Sequence, residues 1–270
     1  MKRFVLFAVL LAMFASTTLA EQWKPRFALQ LYSFRMMTFE EAVNTAKKLG
    51  FDYVEAYPGQ KLAKDSSFNT NYNACPEARQ MMRDILSKAD VKMISYGVTG
   101  AGNEAQWREL FAFAKDMGIE IVQTEVGKNA ETLDIIDKVA GEFGIKVALH
   151  NHTQPAGHPD KVKIELEGRK NIGSGADTGH WAVAGTDPLE GVKSLAGKFN
   201  SLHLVDEKAI GQGSYIVPFG KGACQIDKIL EELKKQNFTG TITLEYERVS
   251  PELQKEVGEC AQWYKNYFAK

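Results

Sequence analysis

Cysteine is scarce in this chain: three in 270 residues, at Cys75, Cys224 and Cys260. They are widely spaced and odd in number, so at most one disulfide can form and no disulfide framework or zinc knuckle can be built from them. Charge of one sign is also lacking. Leaving out Lys2 and Arg3, 31 basic residues face 34 acidic ones, which gives no general attraction to nucleic acid or to a membrane surface. No glycine fingerprint follows the first β-rich run, where LQLYSFRM stands, and an open dinucleotide-binding sheet would want one there. No internal repeat or low-complexity linker suggests a second domain. The single long apolar run, in MKRFVLFAVLLAMFASTTLA, is shorter than the roughly 20 residues of a membrane span. No cysteine lies near its end, which argues against a lipoprotein.

That opening stretch has a different pattern: Lys2 and Arg3, an apolar segment, then small residues at Thr18 and Ala20 before Glu21. It is the pattern of a secretory signal peptide over 1–20, cleaved after Ala20, and it sets the expectation of a secreted, periplasmic protein whose single domain is 21–270.

Within that domain eight apolar, β-rich runs stand at 27–34, 53–57, 91–98, 119–126, 146–152, 172–177, 199–206 and 241–247. Between them FEEAVNTAKKLG, EAQWRELFAFAKDMG, AETLDIIDKVAGEFG and DKILEELKKQNFTG carry apolar residues at three- and four-residue spacing and end in Gly, as amphipathic helices do. Strand alternating with helix eight times in about 250 residues predicts an α/β fold, a single (β/α)₈ TIM barrel. Two insertions, PGQKLAKDSSFNTNYNACPEARQ and GQGSYIVPFGKGACQ, follow strands and therefore belong to the catalytic face of such a barrel.

All five histidines lie between residues 150 and 203. Taken strand by strand, the C-terminal ends carry Glu125, then His150-Asn151-His152, Asp177 with His180 beyond, His203 and Glu245. Alternation predicts His150 and His152 on one face of their strand, and neighbouring strands lie about 4.8 Å apart. The candidate metal ligands are Glu125, His150, Asp177, His203 and Glu245. Imidazoles mixed with carboxylates suit a divalent ion, Mn, Zn, Co, Fe or Mg, with no way to choose among them. The alternative is a buried polar network without metal.

In order and spacing, LQLYSF, LGFDYVEAY, ALHNH, GADTGHW, SLHLVDE, VPFGKGACQID and NFTGTITLEYE resemble the xylose-isomerase-like TIM-barrel family, which includes sugar isomerases and epimerases, inosose dehydratases and AP endonucleases. The resemblance implies metal ligation by Asp177, His203 and Glu245 and substrate contact by His180. It also exposes departures: His150 stands where many family epimerases carry a Glu that is both ligand and base, and Val205 stands where a Lys is frequent. Glu125 or His152 is then the candidate to supply the missing base, and Lys208 the candidate to replace the Lys by reaching back. Trp181, like Tyr32, Tyr57 and Tyr96, is a candidate wall for a sugar, and Glu55 a candidate substrate contact.

A divalent ion beside a substrate carbonyl favours loss of the neighbouring proton to an enediolate, with Glu125, His152, His180 and Glu245 as candidate bases. The expectation is a metal-dependent isomerase or epimerase of an unphosphorylated keto-sugar, with a 3-keto-glycoside lyase as the alternative in the same family and a non-catalytic periplasmic sugar-binding protein as the alternative outside it. The expected partner is a small sugar or glycoside, with no nucleic acid and no membrane. A nuclease of the AP-endonuclease branch would want further histidines at strands two and three, and YVEAYPG and MISYGVTG have none. Homodimers are frequent in the family, and a homodimer is the corresponding expectation for this chain.

Overall fold

Helices form where a capping residue meets an apolar stripe. Thr38 opens α1 (Phe39–Lys48) with a capping box, its hydroxyl accepting from Glu41 N while Glu41 accepts from Thr38 N. The Asn103 and Asn129 side chains cap α3 (Glu104–Asp116) and α4 (Ala130–Phe143), and Gly144 ends α4 in the left-handed region at φ 70°. Such helices bury their stripe only by packing on a sheet, and α8 (Ile226–Lys235) does so with Ile226, Ile229, Leu230 and Leu233. The remaining helices are α2 (Pro76–Ala89), α5 (Pro159–Glu165), α6 (Thr178–Val183), α7 (Pro188–Ser194) and α9 (Leu253–Tyr267).

The structure is a computed structural model that describes residues 23–269; the leader expected at 1–20 lies outside them. Among the described residues, β1 (Arg26–Gln30), β2 (Tyr53–Ala56), β3 (Lys92–Tyr96), β4 (Ile121–Glu125), β5 (Lys146–His150), β6 (Ile172–Asp177), β7 (Phe199–His203) and β10 (Thr241–Leu244) close a parallel barrel in which chain order is neighbour order. This is the expected TIM barrel. A short antiparallel ribbon, β8 (Asp206–Glu207) with β9 (Ile216–Val217), lies in the insertion after β7. No helix among the described residues is long and apolar enough to cross a membrane.

Several strands end earlier than their apolar runs. The run at 27–34 stops pairing at Gln30, whose side chain accepts from Tyr32 N and turns Leu31–Phe34 into a 3₁₀ helix. The run at 199–206 stops at His203, because both the N–H and the carbonyl of Val205 are bound by the Thr178 hydroxyl at 2.8 Å instead of by a neighbouring strand. β5 stops at His150, so the expectation that alternation places His150 and His152 on one strand face fails. The Asn151 side chain instead clamps the Asp177 backbone, donating to Asp177 O and accepting from Asp177 N, and the chain leaves the sheet there.

Register sets which side chains meet. Gln30 pairs with Glu55, Glu125 with His150, Asp177 with His203, and Thr243 with His203, bringing the predicted residues to one rim. In fold terms Leu233→Ala, which empties a fully buried site, is expected to lower unfolding free energy by about 2–5 kcal/mol, measured by urea denaturation.

Candidate active site

The floor of the site is His203, completely buried and held from both sides by carboxylates. Its Nε2 lies 3.0 Å from Glu55 Oε1, and its Nδ1 lies 2.9 Å from Glu245 Oε2 and 3.7 Å from Asp177 Oδ2. Burial works against the imidazolium, but the Glu55 charge and the hydrogen bonds to Glu245 and Glu55 overcome it and hold the His203 pKa well above the usual range. Glu55 is itself fixed by amides: Gln30 Nε2 donates to it at 2.7 Å and Gln123 Nε2 at 2.8 Å. Sequence reading placed Glu55 among the substrate contacts. The structure buries it completely below the rim, where its carboxylate orients His203.

GADTGHW builds the next layer. At Gly175 a Cβ would collide with Gln123 Oε1 and lie 2.7 Å from Ala148 Cβ, so glycine leaves the room in which Gln123 crosses the barrel. Asp177 caps α6, its Oδ1 accepting from His180 N at 2.8 Å, while Oδ2 turns toward His203. At Gly179 a Cβ would lie 2.6 Å from Val205 Cγ1. His180 is partly exposed at the rim. Trp181, a candidate wall, instead packs in the core, with its indole N–H donated to Gly157 O at 2.8 Å.

His150, Asp177, His203 and Glu245 offer ligand atoms within 4.8 Å of one another, all buried. This donor set fits a divalent ion. Without one, the carboxylates of Glu55, Asp177 and Glu245 crowd a single imidazolium, a costly arrangement in a buried place. Both nitrogens of His150 are also buried without a hydrogen-bond partner among the described residues. Burial, then the neighbouring His203, His152 and His180, keeps the His150 pKa well below the usual range, so its ring is neutral, the form that ligates. Glu125, the fifth candidate ligand, is not in this set. It lies across the site with its Oε2 3.0 Å from His152 Nδ1, and that hydrogen bond raises the His152 pKa despite partial burial.

Above the cluster opens a cavity of about 360 Å³, lined by Tyr32, Tyr57, Glu125, His150, His152 and Glu245 among others. Tyr32 and Tyr57 meet edge to face at 5.1 Å, with the Arg35 guanidinium over the Tyr32 ring. Burial, then Tyr32, pushes the Tyr57 hydroxyl up to about 12. Tyr96 is not part of this wall, since its hydroxyl donates to Thr70 O and its ring packs on Phe113. Lys208 does not reach back either. It lies on the exposed insertion, where its N–H is bound to Tyr215 O, and it lines an outer depression with Tyr215 and Lys221. Sequence reading missed Gln30 and Gln123, which position Glu55, and Glu207, which stands beside Asp177 and His180 with its pKa raised by burial. Gln30 and Glu207 end their strands, which was the available signal for those two, whereas Gln123 lies in the middle of β4.

With this geometry in place, comparison with known proteins agrees with the fold. The family described as xylose isomerase-like TIM barrel matches residues 43–267, and the chain belongs to that family. An inosose dehydratase of Bacillus thuringiensis (strain Al Hakam) is 25% identical over 148 residues, covering 47% of this chain and 48% of that one. The chain thus spans about half the length of that curated relative. A crystal structure of an uncharacterized protein of Parabacteroides distasonis ATCC 8503 superposes with TM-score 0.71 at 28% identity, covering 89% of this chain and 98% of that one. The 3-keto-D-glucoside 4-epimerase of E. coli superposes with TM-score 0.68 at 12% identity, covering 90% and 100%, and shares the fold. Relatives in this family are sugar isomerases, epimerases and dehydratases.

Two measurements follow from the hydrogen bonds. Glu55→Gln is expected to weaken divalent-ion binding about 10–100-fold, read by calorimetric titration, whereas an unchanged affinity would show that Glu55 does not position His203. In metal-free protein His152 is expected to keep its proton to higher pH than a free imidazole, and Glu125→Gln to bring its titration down, both followed by NMR.

Proposed function

We propose that the protein is a divalent-metal-dependent isomerase or epimerase of an unphosphorylated keto-sugar, acting by removal of a proton beside the carbonyl. The observation that carries this is the convergence of the buried His150–Asp177–His203–Glu245 set and the Glu125–His152 pair on one polar cavity. An ion held by those four residues would polarise the carbonyl and stabilise the negative charge that develops as the proton leaves. The remaining work belongs to the chain's own side chains. His152 holds Glu125 by one carboxylate oxygen, leaving the other to take the proton. Tyr32 and Tyr57 line the cavity with ring surface that covers a sugar face and restricts water.

The choice of an unphosphorylated substrate is supported by the lining of the cavity and of the smaller recess beside it. The residues lining both include acids, histidines and tyrosines and no Lys or Arg, and the neighbouring Arg35 guanidinium is taken up by the Tyr32 ring and the Glu247 carbonyl. Export, for which the leader pattern at 1–20 is the support, fits the same substrate class. A β-elimination from a 3-keto-glycoside uses the same first step, and the relatives named as dehydratases support it as the second possibility.

The test is incubation of metal-quantified protein in D₂O with an unmodified ketose and with a 3-keto-glucoside, followed by NMR. Deuterium beside the carbonyl with the skeleton intact is the expected outcome, while release of the aglycone with an unsaturated sugar would establish elimination instead. Glu125→Gln is expected to slow deuterium uptake by about 10²–10⁴-fold with bound metal unchanged. Uptake at the full rate in that variant would take the proton-accepting role away from Glu125.

A further inference from the structure

The insertion GQGSYIVPFGKGACQ after β7 closes back on Asp206 and Glu207. The Asp206 carboxylate accepts from Gly220 N, Gly222 N and Cys224 N at 2.9–3.1 Å. Glu207 donates its N–H to Cys224 Sγ, accepts from Ala223 N at 2.7 Å, and pairs with Ile216 in the β8–β9 ribbon. At Gly222 a Cβ would lie 2.3 Å from Glu207 O, so only glycine lets the loop close this tightly. The backbone of Glu207 is thus fastened from three sides, which fixes where its side chain starts.

Glu207 is only 4% exposed, and its Oε2 is buried without a hydrogen-bond partner among the described residues. The Ser214 hydroxyl, which already accepts from Ala209 N, favours the carboxylate form and has one proton to give. One donor is too few for the two oxygens of a buried carboxylate. Glu207 faces a recess of about 20 Å³ that it lines with Asp177, His180, Glu245 and Glu247 among others, room for one water-sized group and not for a sugar ring. Glu245 and Glu247 also line the large cavity, so the recess is a side pocket of the place where the sugar would be seated.

We propose that this recess seats one hydroxyl group of the sugar, which donates to Glu207 Oε2, and that Glu207 thereby selects among sugars by the configuration at that carbon. The assignment rests on the keto-sugar reading of the cavity and adds to it a group that recognises the substrate. A hydroxyl suits both walls of the recess: its proton goes to the carboxylate, and its oxygen can accept from a ring N–H of His180. A sugar with that hydroxyl missing or on the other face leaves the Glu207 oxygen unpaired again, so the wrong substrate carries the cost of a buried, unmet carboxylate. Asp177 and Glu245 wall the recess, while Glu207 lies outside the four-residue cluster. The hydroxyl therefore stands beside the candidate ion, held by a residue that is not one of its ligands.

Metal-quantified full-length protein is assayed for deuterium uptake on D-fructose, on methyl 3-keto-D-glucoside and on the monodeoxy derivatives of each. In the unaltered protein one deoxy sugar is expected to lose about 10–100-fold in kcat/KM relative to its parent. Glu207→Gln is expected to lose a similar factor on the parent and nothing further on that deoxy sugar, because both changes remove the same contact. Glu207→Asp, which draws the carboxylate back by one methylene, is expected to show the same selective loss. Bound metal is expected to stay at the unaltered level in both variants. Equal losses on every sugar, no loss at all, or departure of the metal would each overturn the assignment, since none of them reports a contact with one hydroxyl. Absence of uptake from both parent sugars in the unaltered protein removes the proposed reaction and this assignment with it, whereas uptake with independent losses removes only the role of Glu207.

Discussion

A buried histidine caught between carboxylates is the constraint on which the rest of the site depends. His203 meets Glu55 through one nitrogen and Glu245 through the other, and both contacts lie where water cannot screen them. Its orientation is therefore set before any substrate arrives: Nε2 faces Glu55, and Nδ1 faces Glu245 and Asp177. The interior of the barrel is organised to hold Glu55 still. Gln30 from β1 and Gln123 from β4 donate to its two oxygens, and Ser201 donates in turn to Gln123. Side chains from β1, β2, β4, β7 and β10 thus share one polar network, whose surplus of negative charge calls for a cation at the rim.

GADTGHW is where this demand and the fold meet. Its first glycine gives up a side chain so that Gln123 can cross, Asp177 divides its two oxygens between a helix cap and the cluster, and Thr178 draws Val205 away from the sheet. Gly179 lets that turn approach Val205, and Trp181 anchors the following helix in the core. One heptapeptide therefore supplies a candidate ligand, a rim histidine and the packing that keeps both in place.

Much of this was legible from residues alone. The barrel followed from eight β-rich runs separated by helical spacing, because periodicity is dictated by burial and burial is what the closed barrel satisfies. Asp177, His203 and Glu245 converge because they end neighbouring strands. The parts that were not legible depend on where strands stop. Whether His152 continues β5 is decided by Asn151 bonding to the Asp177 backbone, a contact between residues 26 positions apart. The inward course of Glu55, Gln30 and Gln123 depends on three strands meeting, and a polar residue at a strand end looks the same whether it faces substrate or a neighbouring histidine. Tyr96 and Trp181 show the converse, aromatic residues near the rim that the packing claims.

The central claim is that His150, Asp177, His203 and Glu245 bind a divalent ion at the barrel mouth. The most direct measurement is an anomalous difference map from crystals of the protein grown with Mn²⁺, recorded at the manganese absorption edge. The account predicts a peak enclosed by these four side chains at about 2.0–2.3 Å, the range of metal–nitrogen and metal–oxygen bonds. An ordered site with no anomalous peak among the four, at a manganese concentration that saturates the protein in solution, would contradict it.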